Sequence, residues 1–407
     1  MLDVIVVGGG PGGLYSAIRL AGSGAHVGLA EEHPMAGQPV HCTGVMTPDA
    51  FREFNLPQDA VLNELHTVRF FSPSGRQFHY TPPMTEAVVI DRPRFDGGLY
   101  RMAKDAGVEM YMGRKVTKIE IKASQVHIEC DGDANPILAR ACILATGASY
   151  SLHRQLSLDF PPLYLNSAQI EVPVGRTGDV EVHFGSQVAP QGFAWVVPVN
   201  RGSAHFARLG VMCSANVDAV FRRFVRGVSG LWDFQVTENV TPRKRMLPLA
   251  PISRTYGNRL LVVGDAAGLV KPTTGGGIYF SIVTAGIAAE LMSEALLRDN
   301  LSKARLSKYE KRWRQKLGLE VRVQILLRLV SERLNDSEID QLFDLARTDG
   351  ANGLMSLIRN TARFNQHHDL IRTLFQHPEA GKILLRKVMA STSPIYREAL
   401  DAEGSFV

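Results

Sequence analysis

A glycine-rich turn near the amino terminus constrains the fold of this 407-residue chain more than any other feature. Gly8, Gly10 and Gly13 fit the pattern G-x-G-x-x-G. A short β-branched run, residues 3–7, precedes them, and an apolar helix pattern follows. In this context the first glycine permits a tight turn, the second lets a pyrophosphate approach the backbone, and the third lets the helix pack on the strand. The segment therefore predicts a β-α-β dinucleotide-binding unit.

An acidic residue follows the second strand of this unit. Glu31, which comes after the strand pattern at 26–30, stands where a carboxylate can accept hydrogen bonds from both ribose hydroxyls and repel a 2′-phosphate. We therefore predict that the unit binds an ADP moiety, with Glu31 and the adjacent Glu32 beside it. The alternative is a tight β-α turn without a ligand.

A second signal lies much further along the chain. Gly264-Asp265 follows a buried strand pattern at 259–263, and Pro272 and the triple glycine 275–277 come next. An aspartate at the carboxyl end of a strand can bond a ribityl hydroxyl, and amides at the start of the next helix can stabilise negative charge on a reduced flavin ring. Together with the first turn, this pattern favours FAD over NAD.

Several further segments resemble the geranylgeranyl reductase family, whose fold is similar to that of the p-hydroxybenzoate hydroxylase-like flavoproteins. They are Asp91-Arg92-x-x-Phe95-Asp96, Ala145-Thr146-Gly147-x-Ser149, the stretch from Gly264 to Ile278, His41-Cys42-Thr43-Gly44 and Pro190-x-Gly192-Phe193-x-Trp195-x-x-Pro198. The resemblance covers residues 1–290. It departs from the family at Phe193, where a Tyr is usual, and at Val197, where a Phe is usual.

The resemblance implies that reduced FAD reduces isoprenoid double bonds. With the glycine patterns, it gives the following predicted FAD contacts: Gly8, Gly10, Pro11, Gly12, Gly13, Glu31, Glu32, Cys42, Gly44, Arg92, Val116, Gly147, Asp265, Gly275, Gly276, Gly277 and Ile278. Thr146 stands where hydroxylase relatives usually have Asp, in an element tied to NAD(P)H as well as FAD. The reductant therefore stays open between NADPH, NADH and a ferredoxin.

Two groups of residues are candidates for the chemistry and for substrate binding. An alkene needs hydride on one carbon and a proton on the other, so Cys42 is a candidate acid, with His41 orienting it. The alternative for Cys42 is a small buried hydrophobe. Phe193 and Trp195 lie two apart on a strand and point the same way, so with Pro198 they could wall an isoprenoid channel or belong to the sheet core.

The alternation of patterns predicts an α/β (α+β) architecture. A Rossmann-like FAD-binding domain is assigned to residues 1–44, 85–159 and 256–298, and a β-rich substrate domain, inserted into it, to residues 45–84 and 160–255. A helical region is assigned to residues 299–407. Arg92, at the start of a predicted helix, either contacts the cofactor or forms a salt bridge with Asp96.

Composition narrows the cellular setting. The chain is 45% hydrophobic and 21% charged, which is ordinary for a globular protein, and its four cysteines have neither zinc-site nor disulfide spacing, so no metal is expected. We see no signal peptide, and the uncharged run 272–289 is too polar for a spanning helix, which favours the cytoplasm. His367 and His368 are interpreted as solvated.

A basic stretch offers a surface for partners. Between residues 298 and 316, eight residues are basic and two are acidic, while Leu306, Tyr309, Trp313 and Leu317 recur at helical spacing. We expect the apolar face to pack inward and the basic residues to face outward. They would give a plain solvated face or a weak peripheral contact with an anionic membrane, such as the inner face of the cell membrane, and no nucleic acid is expected.

Two other functions remain open beside prenyl reduction, in which the substrate would be a lipid, quinone or pigment precursor. One is an FAD-dependent aromatic or lipid hydroxylase or a halogenase, because these share the fold. The first lysine in the chain is Lys104, which disfavours a halogenase with a lysine close to the flavin. Thr146 and the Cys42 segment fit a hydroxylase poorly. The other is an electron-transfer flavoprotein without a substrate of its own. The oligomeric state is left open.

Overall fold

The computed structural model describes residues 1–133, 135–235, 241–347 and 354–389. Within these ranges the strands are β1 (Leu2–Val7), β2 (Val27–Glu31), β3 (Val45–Met46), β4 (Val61–Leu65), β5 (Val68–Phe71), β6 (Gln77–Tyr80), β7 (Ala87–Ile90), β8 (Glu109–Met112), β9 (Val116–Ile121), β10 (Val126–Cys130), β11 (Ile137–Leu144), β12 (Tyr164–Pro173), β13 (Val180–His183), β14 (Phe193–Arg201), β15 (Ala204–Cys213), β16 (Arg243–Pro248), β17 (Tyr256–Gly257) and β18 (Leu260–Val262).

The helices of the described ranges are α1 (Pro11–Gly22), α2 (Asp49–Glu53), α3 (Arg92–Asp105), α4 (Val217–Trp232), α5 (Ile278–Leu297), α6 (Lys303–Ser331), α7 (Asp336–Arg347), α8 (Leu354–Thr361), α9 (His368–Gln376) and α10 (Pro378–Met389). The predicted helical region 299–407 is helical from α6 to α10 where it is described. Residues 348–353 and 390–407 of that region lie outside the described residues.

The first sheet carries the predicted nucleotide-binding turns. Its main path is β17-β18-β11-β1-β2-β8, and the β9–β10 hairpin joins it through β11. β1 is parallel to both its neighbours, with Val6 opposite Leu29 and Ile143. It is almost wholly buried, which is why its sequence is a continuous apolar run rather than an alternating one. The carboxyl ends of β1, β11 and β18 therefore meet at one edge, where ligands bind in sheets of this kind.

The second sheet has the order β16-β12-β15-β14-β13-β5-β6. Its pairs are antiparallel except β13 with β5. β5 and β6 form a hairpin that turns between Ser72 and Gly75. α4 covers one face of the sheet, where its Phe221 and Phe224 pack with Leu209 of β15. The cavity described below is lined by Phe70, Val182 and Phe193 of this sheet.

A small third sheet joins the two larger ones. Its order is β3-β7-β4, with Val45 opposite Val89. The predicted boundary at residue 85 assigned β7 to the FAD-binding domain and its two partners to the substrate domain. The helix that follows β7 begins at Arg92, because the Asp91 side chain accepts a hydrogen bond from the Arg94 N–H at 3.0 Å and Pro93 occupies the first turn.

α5 and α6 close the core of the first sheet. α5 is long and apolar enough to span a membrane, with a mean hydropathy of 1.5 over its best window, yet 56% of that window is buried in the protein. It packs against α1 and α6. The inward packing predicted for α6 is confirmed: Leu306, Tyr309 and Trp313 are buried, and Trp313 donates its indole N–H to Thr255 Oγ1 at 3.0 Å.

The basic stretch is less exposed than predicted. Arg305 and Arg312 both pair with Glu294 of α5, at 2.8 and 2.9 Å, and the Arg305 side chain is only 11% exposed. Arg314 pairs with Glu310. The expectation that all the basic residues face water was wrong here, because α5 supplies a carboxylate that the α6 pattern alone does not show. Five members stay exposed without an ion pair to the described residues: Arg298, Lys303, Lys308, Lys311 and Lys316.

Candidate active site

The first glycine turn is held by close backbone contacts. Gly8 has φ of +109°, and a Cβ there would lie 2.3 Å from the carbonyl oxygen of Ala145. A Cβ on Gly13 would lie 1.9 Å from the carbonyl oxygen of Gly8. Neither position has room for a side chain, so the turn can form only with glycine at both places. It thereby lies against the turn that follows β11 and contains Gly147, whose φ is +61°.

The start of α1 is open. Gly10 is its N-cap and provides no side-chain cap, and a Cβ on Gly10 would meet no atom within 4 Å. The first amide groups of the helix, at Gly12 and Gly13 after Pro11, have no partner within the helix and lie at the positive end of its dipole. Gly12 lies against Ser281 of α5, at 3.2 Å from a built Cβ. This opening suits a pyrophosphate.

Glu31 lies beside this turn at the end of β2. Its Oε2 accepts the Gly9 N–H at 2.6 Å, and its Oε1 accepts the His33 N–H at 3.0 Å. The side chain is 13% exposed, whereas Glu32 is exposed. The Arg114 N–H donates to the Glu31 carbonyl at 2.8 Å, which brings the start of β9, where Val116 lies, to the same side. His33 is a neighbour that sequence reasoning missed.

The second glycine segment faces the first. Asp265 follows β18 in a short 3-10 helix, and its Oδ1 would lie 2.5 Å from a Cβ on Gly277. The Tyr150 hydroxyl holds this loop in place by donating a hydrogen bond to the Asp265 carbonyl at 2.8 Å. α5 begins at Ile278 with Gly277 as a cap that has no side chain to offer, and Gly275 and Gly276 precede it. Burial raises the pKa of Asp265, against the nearby charges of Arg245 and Arg92.

The Cys42 segment is hydrogen-bonded to the second sheet through Arg208 and to the third sheet through Ile90. Cys42 is half-buried, and its Sγ accepts the Gly44 N–H at 3.2 Å. Gly44 has φ of +69° and touches Arg208 of β15. Arg208 donates to the carbonyl oxygens of Thr43 and Ile90, at 2.6 and 3.0 Å. The second sheet thus fixes the position of the thiol.

Arg92 connects Cys42 with α3. Its guanidinium pairs with Asp96 at 2.8 Å and interacts with the Cys42 sulfur. Although burial works against the charge, Asp96 and Cys42 hold the pKa of Arg92 above its ordinary value. The salt bridge left open by the sequence is therefore present, and it holds the cation beside Cys42.

His41 is neutral at physiological pH. Burial lowers its pKa to about 4, and the positive charges of Arg245 and Arg243 on β16 act in the same direction. Its Nδ1 is buried without a hydrogen-bond partner among the described residues. The two arginines were missed from the sequence, because nothing in the run 243–245 shows that β16 turns it toward residue 41.

An apolar cavity of about 950 Å³ lies between the second sheet and α6 and α7. It reaches Val45, two residues after Thr43, and Thr273 and Thr274 of the second glycine segment. Phe193 is one of the residues that line it. Trp195, whose ring centroid is 5.7 Å from that of Phe193, and the buried Pro198 are not among its lining residues. Its other aromatic lining residues are Phe70, Tyr80, Phe184, Phe343 and Phe364.

A buried polar cluster next to the cavity escaped the sequence analysis. Lys271, 4% exposed, donates to the Phe364 carbonyl at 2.8 Å and to Asn365 Oδ1 at 3.2 Å. His367 bonds Thr273 Oγ1 at 2.9 Å, and burial lowers its pKa to about 4. His368 bonds Glu320 at 2.9 Å. The interpretation of both histidines as solvated was wrong, because α6 supplies a buried carboxylate that is distant in sequence.

These features fit FAD. Two helix N-termini without side-chain caps, those of α1 and α5, lie close together, since a Cβ on Gly12 would be 3.2 Å from Ser281, and Gly10 leaves free space at the first of them. Glu31 would hold the ribose, Asp265 the ribityl chain, and the α5 amides the pyrimidine edge of the ring. The buried Nδ1 of His41 supplies a further polar atom that a ligand in the cleft could bond.

Comparison with known proteins agrees with this reading. Residues 2–159 match the family model described as pyridine nucleotide-disulphide oxidoreductase. The chain is 31% identical over 357 residues to the digeranylgeranylglycerophospholipid reductase of Methanocaldococcus jannaschii, with 84% of this chain and 89% of that protein covered.

Solved structures share the fold. A geranylgeranyl bacteriochlorophyll reductase-like protein of Thermoplasma acidophilum superposes with a TM-score of 0.82 at 23% identity, over 95% of this chain and 99% of that one. A variant of the flavin-dependent brominase Bmp2 gives a TM-score of 0.67 at 16% identity, over 85% and 94% of the two chains.

We expect Glu31 to contribute directly to FAD affinity. Glu31→Ala should weaken FAD binding by about 1–3 kcal/mol, because charge-assisted hydrogen bonds to the ribose are lost. Titration of the apoprotein with FAD, followed by flavin fluorescence, measures the change. Glu290→Ala on α5 is the control, since that side chain is 59% exposed and is not a predicted FAD contact, and its affinity should equal that of the parent. Equal affinities for all three proteins would contradict the assignment.

Lys271 should make stability depend on pH. Burial lowers its pKa to about 7, whereas a lysine in the unfolded chain titrates at about 10.4. Between these values the unfolded state binds more protons, so the folded state gains stability as pH rises. The free energy of unfolding of the parent, relative to Lys271→Met, should therefore increase from pH 7 to pH 10.

Denaturant unfolding of the FAD-loaded proteins at several pH values measures this difference. The exposed Lys303→Met variant is the control, and its difference from the parent should not change with pH. If the difference in unfolding free energy between the parent and Lys271→Met does not change from pH 7 to pH 10, the lysine is charged throughout.

Proposed function

The chain belongs to the geranylgeranyl reductase family, and we propose that it hydrogenates carbon–carbon double bonds in the prenyl chains of a lipid-like substrate. It is an FAD-dependent oxidoreductase. The observation that carries the proposal is the apolar cavity, which reaches both the second glycine segment and Val45 beside the Cys42 segment. Its volume of about 950 Å³ is at the upper end of ligand pockets, which are about 300–1,000 Å³. Each buried CH₂ contributes about 0.8 kcal/mol, so such a cavity can compete with a bilayer for a prenyl chain.

Reduced FAD, when bound, supplies the hydride for one carbon of the double bond. We assign the proton for the other carbon to the Cys42 thiol. The Gly44 N–H and Arg92 are both donors to Sγ, so neither accepts the thiol hydrogen, which is left for the substrate. The Arg92 guanidinium lies beside the sulfur from which the proton leaves. His41 is uncharged at neutral pH and orients the segment rather than acting as the acid.

The fold is shared with brominases and monooxygenases, so the reaction needs a direct test. Purified protein with FAD and a geranylgeranylated lipid is incubated with dithionite in the absence of oxygen. The mass of the lipid is then measured by mass spectrometry. A gain of two mass units for each reduced bond supports the proposal. A product that gains oxygen in air, or no product under either condition, would refute it.

The reductant in the cell is proposed to be NADPH, NADH or a ferredoxin. The three donors are compared by the rate at which each bleaches the flavin of the same protein without oxygen. The donor with the fastest bleaching should also support lipid reduction in place of dithionite.

Loss of the thiol should abolish most turnover and spare the cofactor. We expect Cys42→Ala to lower prenyl reduction about 10²–10⁴-fold, the usual contribution of one general acid, while FAD affinity changes little. Cys130→Ala is the control, because that thiol is buried in the core of the first sheet. Full activity of the Cys42→Ala protein would leave Cys42 as a buried hydrophobe only.

We also propose a weak, salt-sensitive contact between the exposed basic residues of 298–316 and an anionic membrane at the cytoplasmic face. Each such residue contributes about 1 kcal/mol near a charged leaflet, and salt screens it. Flotation with anionic vesicles should show binding at low salt that Lys308→Glu with Lys311→Glu removes. Equal partitioning to neutral vesicles would contradict the electrostatic contact.

A further inference from the structure

A buried lysine forms part of the second glycine segment. The N–H of Lys271 donates to the Gly276 carbonyl at 3.1 Å, and its carbonyl accepts the Gly275 N–H at 2.8 Å, so its backbone closes the turn that leads into α5. The side chain packs on the same turn, because a Cβ on Gly276 would lie 3.1 Å from Lys271 Cε and 3.8 Å from Nζ. The ammonium is therefore fixed beside the glycines that precede α5.

The hydrogen-bond acceptors of this ammonium within the described ranges are uncharged. Nζ donates to the Phe364 carbonyl and to Asn365 Oδ1, and it lies 3.9 Å from the centroid of the Phe364 ring. Buried charges are normally paired with an opposite charge, because the lost hydration has to be replaced. At Lys271 two neutral oxygens and an aromatic ring replace it instead.

The carboxylate whose charge acts on Lys271 has other hydrogen-bond partners. It is Glu320 of α6. Its Oε1 accepts the side-chain amide of Gln324 at 2.6 Å and also the His367 N–H. Its Oε2 accepts the His368 N–H at 3.3 Å. The described residues thus offset the charge of the ammonium only in part, so it can still stabilise a negative charge on a bound group.

We propose that the Lys271 ammonium stabilises the negative charge of reduced FAD, so that the protein binds reduced FAD more tightly than oxidised FAD. The amides at the start of α5 would hold the pyrimidine edge of the ring, where a reduced flavin carries negative charge. A positive charge packed on the same turn adds to their effect, because charges interact strongly in a poorly hydrated interior. Lys271 acts through its charge and is a positioning residue. The inference rests on FAD binding and is independent of the substrate.

The C-terminal helices hold this charge in place. Phe364 and Asn365, which lie between α8 and α9, supply the two acceptors of Nζ. Thr273, two residues after Lys271, is held from the same side, because it bonds Gln324 of α6 and His367. The packing of these helices on the second glycine segment therefore keeps the ammonium against the turn instead of in water.

The test measures the two-electron reduction potential of the bound FAD. It is made at pH 6, where the ammonium is mostly protonated, since burial lowers its pKa only to about 7. We expect Lys271→Met to weaken the binding of reduced FAD about tenfold more than that of oxidised FAD, which lowers the potential by about 30 mV. Lys271→Arg, which keeps the charge, should stay close to the parent. Lys104→Met, which removes an exposed charge on α3, is the control and should leave the potential unchanged.

Anaerobic reduction against a dye of known potential gives the potential, and titration of the apoprotein with oxidised FAD gives the affinity for that form. A lower potential of Lys271→Met with nearly unchanged affinity for oxidised FAD supports the proposal. An equal loss of affinity for both forms, or an unchanged potential, overturns it and leaves the lysine a structural role only. If Lys271→Met does not fold, Lys271→Gln, whose amide is also an uncharged donor, decides by the same comparison. No prenyl substrate is present, so failure of the proposed prenyl reduction would not change these outcomes.

Discussion

Close contact between backbone turns is the constraint on which the rest of this site depends. Gly8 touches the Ala145 carbonyl, Gly13 touches Gly8, and Gly264 lies against the Ser281 hydroxyl, at 2.4 Å from a built Cβ. These turns end three parallel strands of one sheet and come from segments far apart in the chain. At Gly8 and Gly13 backbone meets backbone with no side chain between, so the backbone itself fixes the distance between the first two turns. A cofactor can then meet two helix N-termini at once, which neither turn could offer alone.

The candidate acid, by contrast, takes its position from the second sheet. Arg208 and Arg201 on neighbouring strands share Glu171, and Arg208 extends to the carbonyl of Thr43 while Arg201 extends to Asp91. Arg208 is the buried member of this network, at 4% exposed, so removing its partner Glu171 would leave a buried charge uncompensated, which is strongly destabilising. The network therefore couples the wall of the substrate cavity to Cys42. A displacement of the second sheet would therefore move the Cys42 thiol as well as the cavity wall.

The parts of this structure that could be predicted from sequence are those encoded by local patterns. The glycine turn with Glu31, the hairpin around Gly75 and the inward face of α6 need only neighbours within one or two elements. Lys271 and His367 could not be found in that way. Their partners, such as Glu320, lie where the C-terminal helices pack on the second glycine segment, and periodicity says nothing about which helix lies there. The same limit explains Arg305, whose partner belongs to another helix.

The apolar character of α5 has a consequence for biosynthesis. A helix with a mean hydropathy of 1.5 resembles a membrane span as it leaves the ribosome. Its larger helix contact is with α1, which is synthesised long before Ile278, whereas α6, its other neighbour, follows it in the chain. The nascent chain can therefore cover the α1-facing side of α5 as soon as that helix emerges, so the order of segments shortens the time for which this side of its most membrane-like helix is exposed.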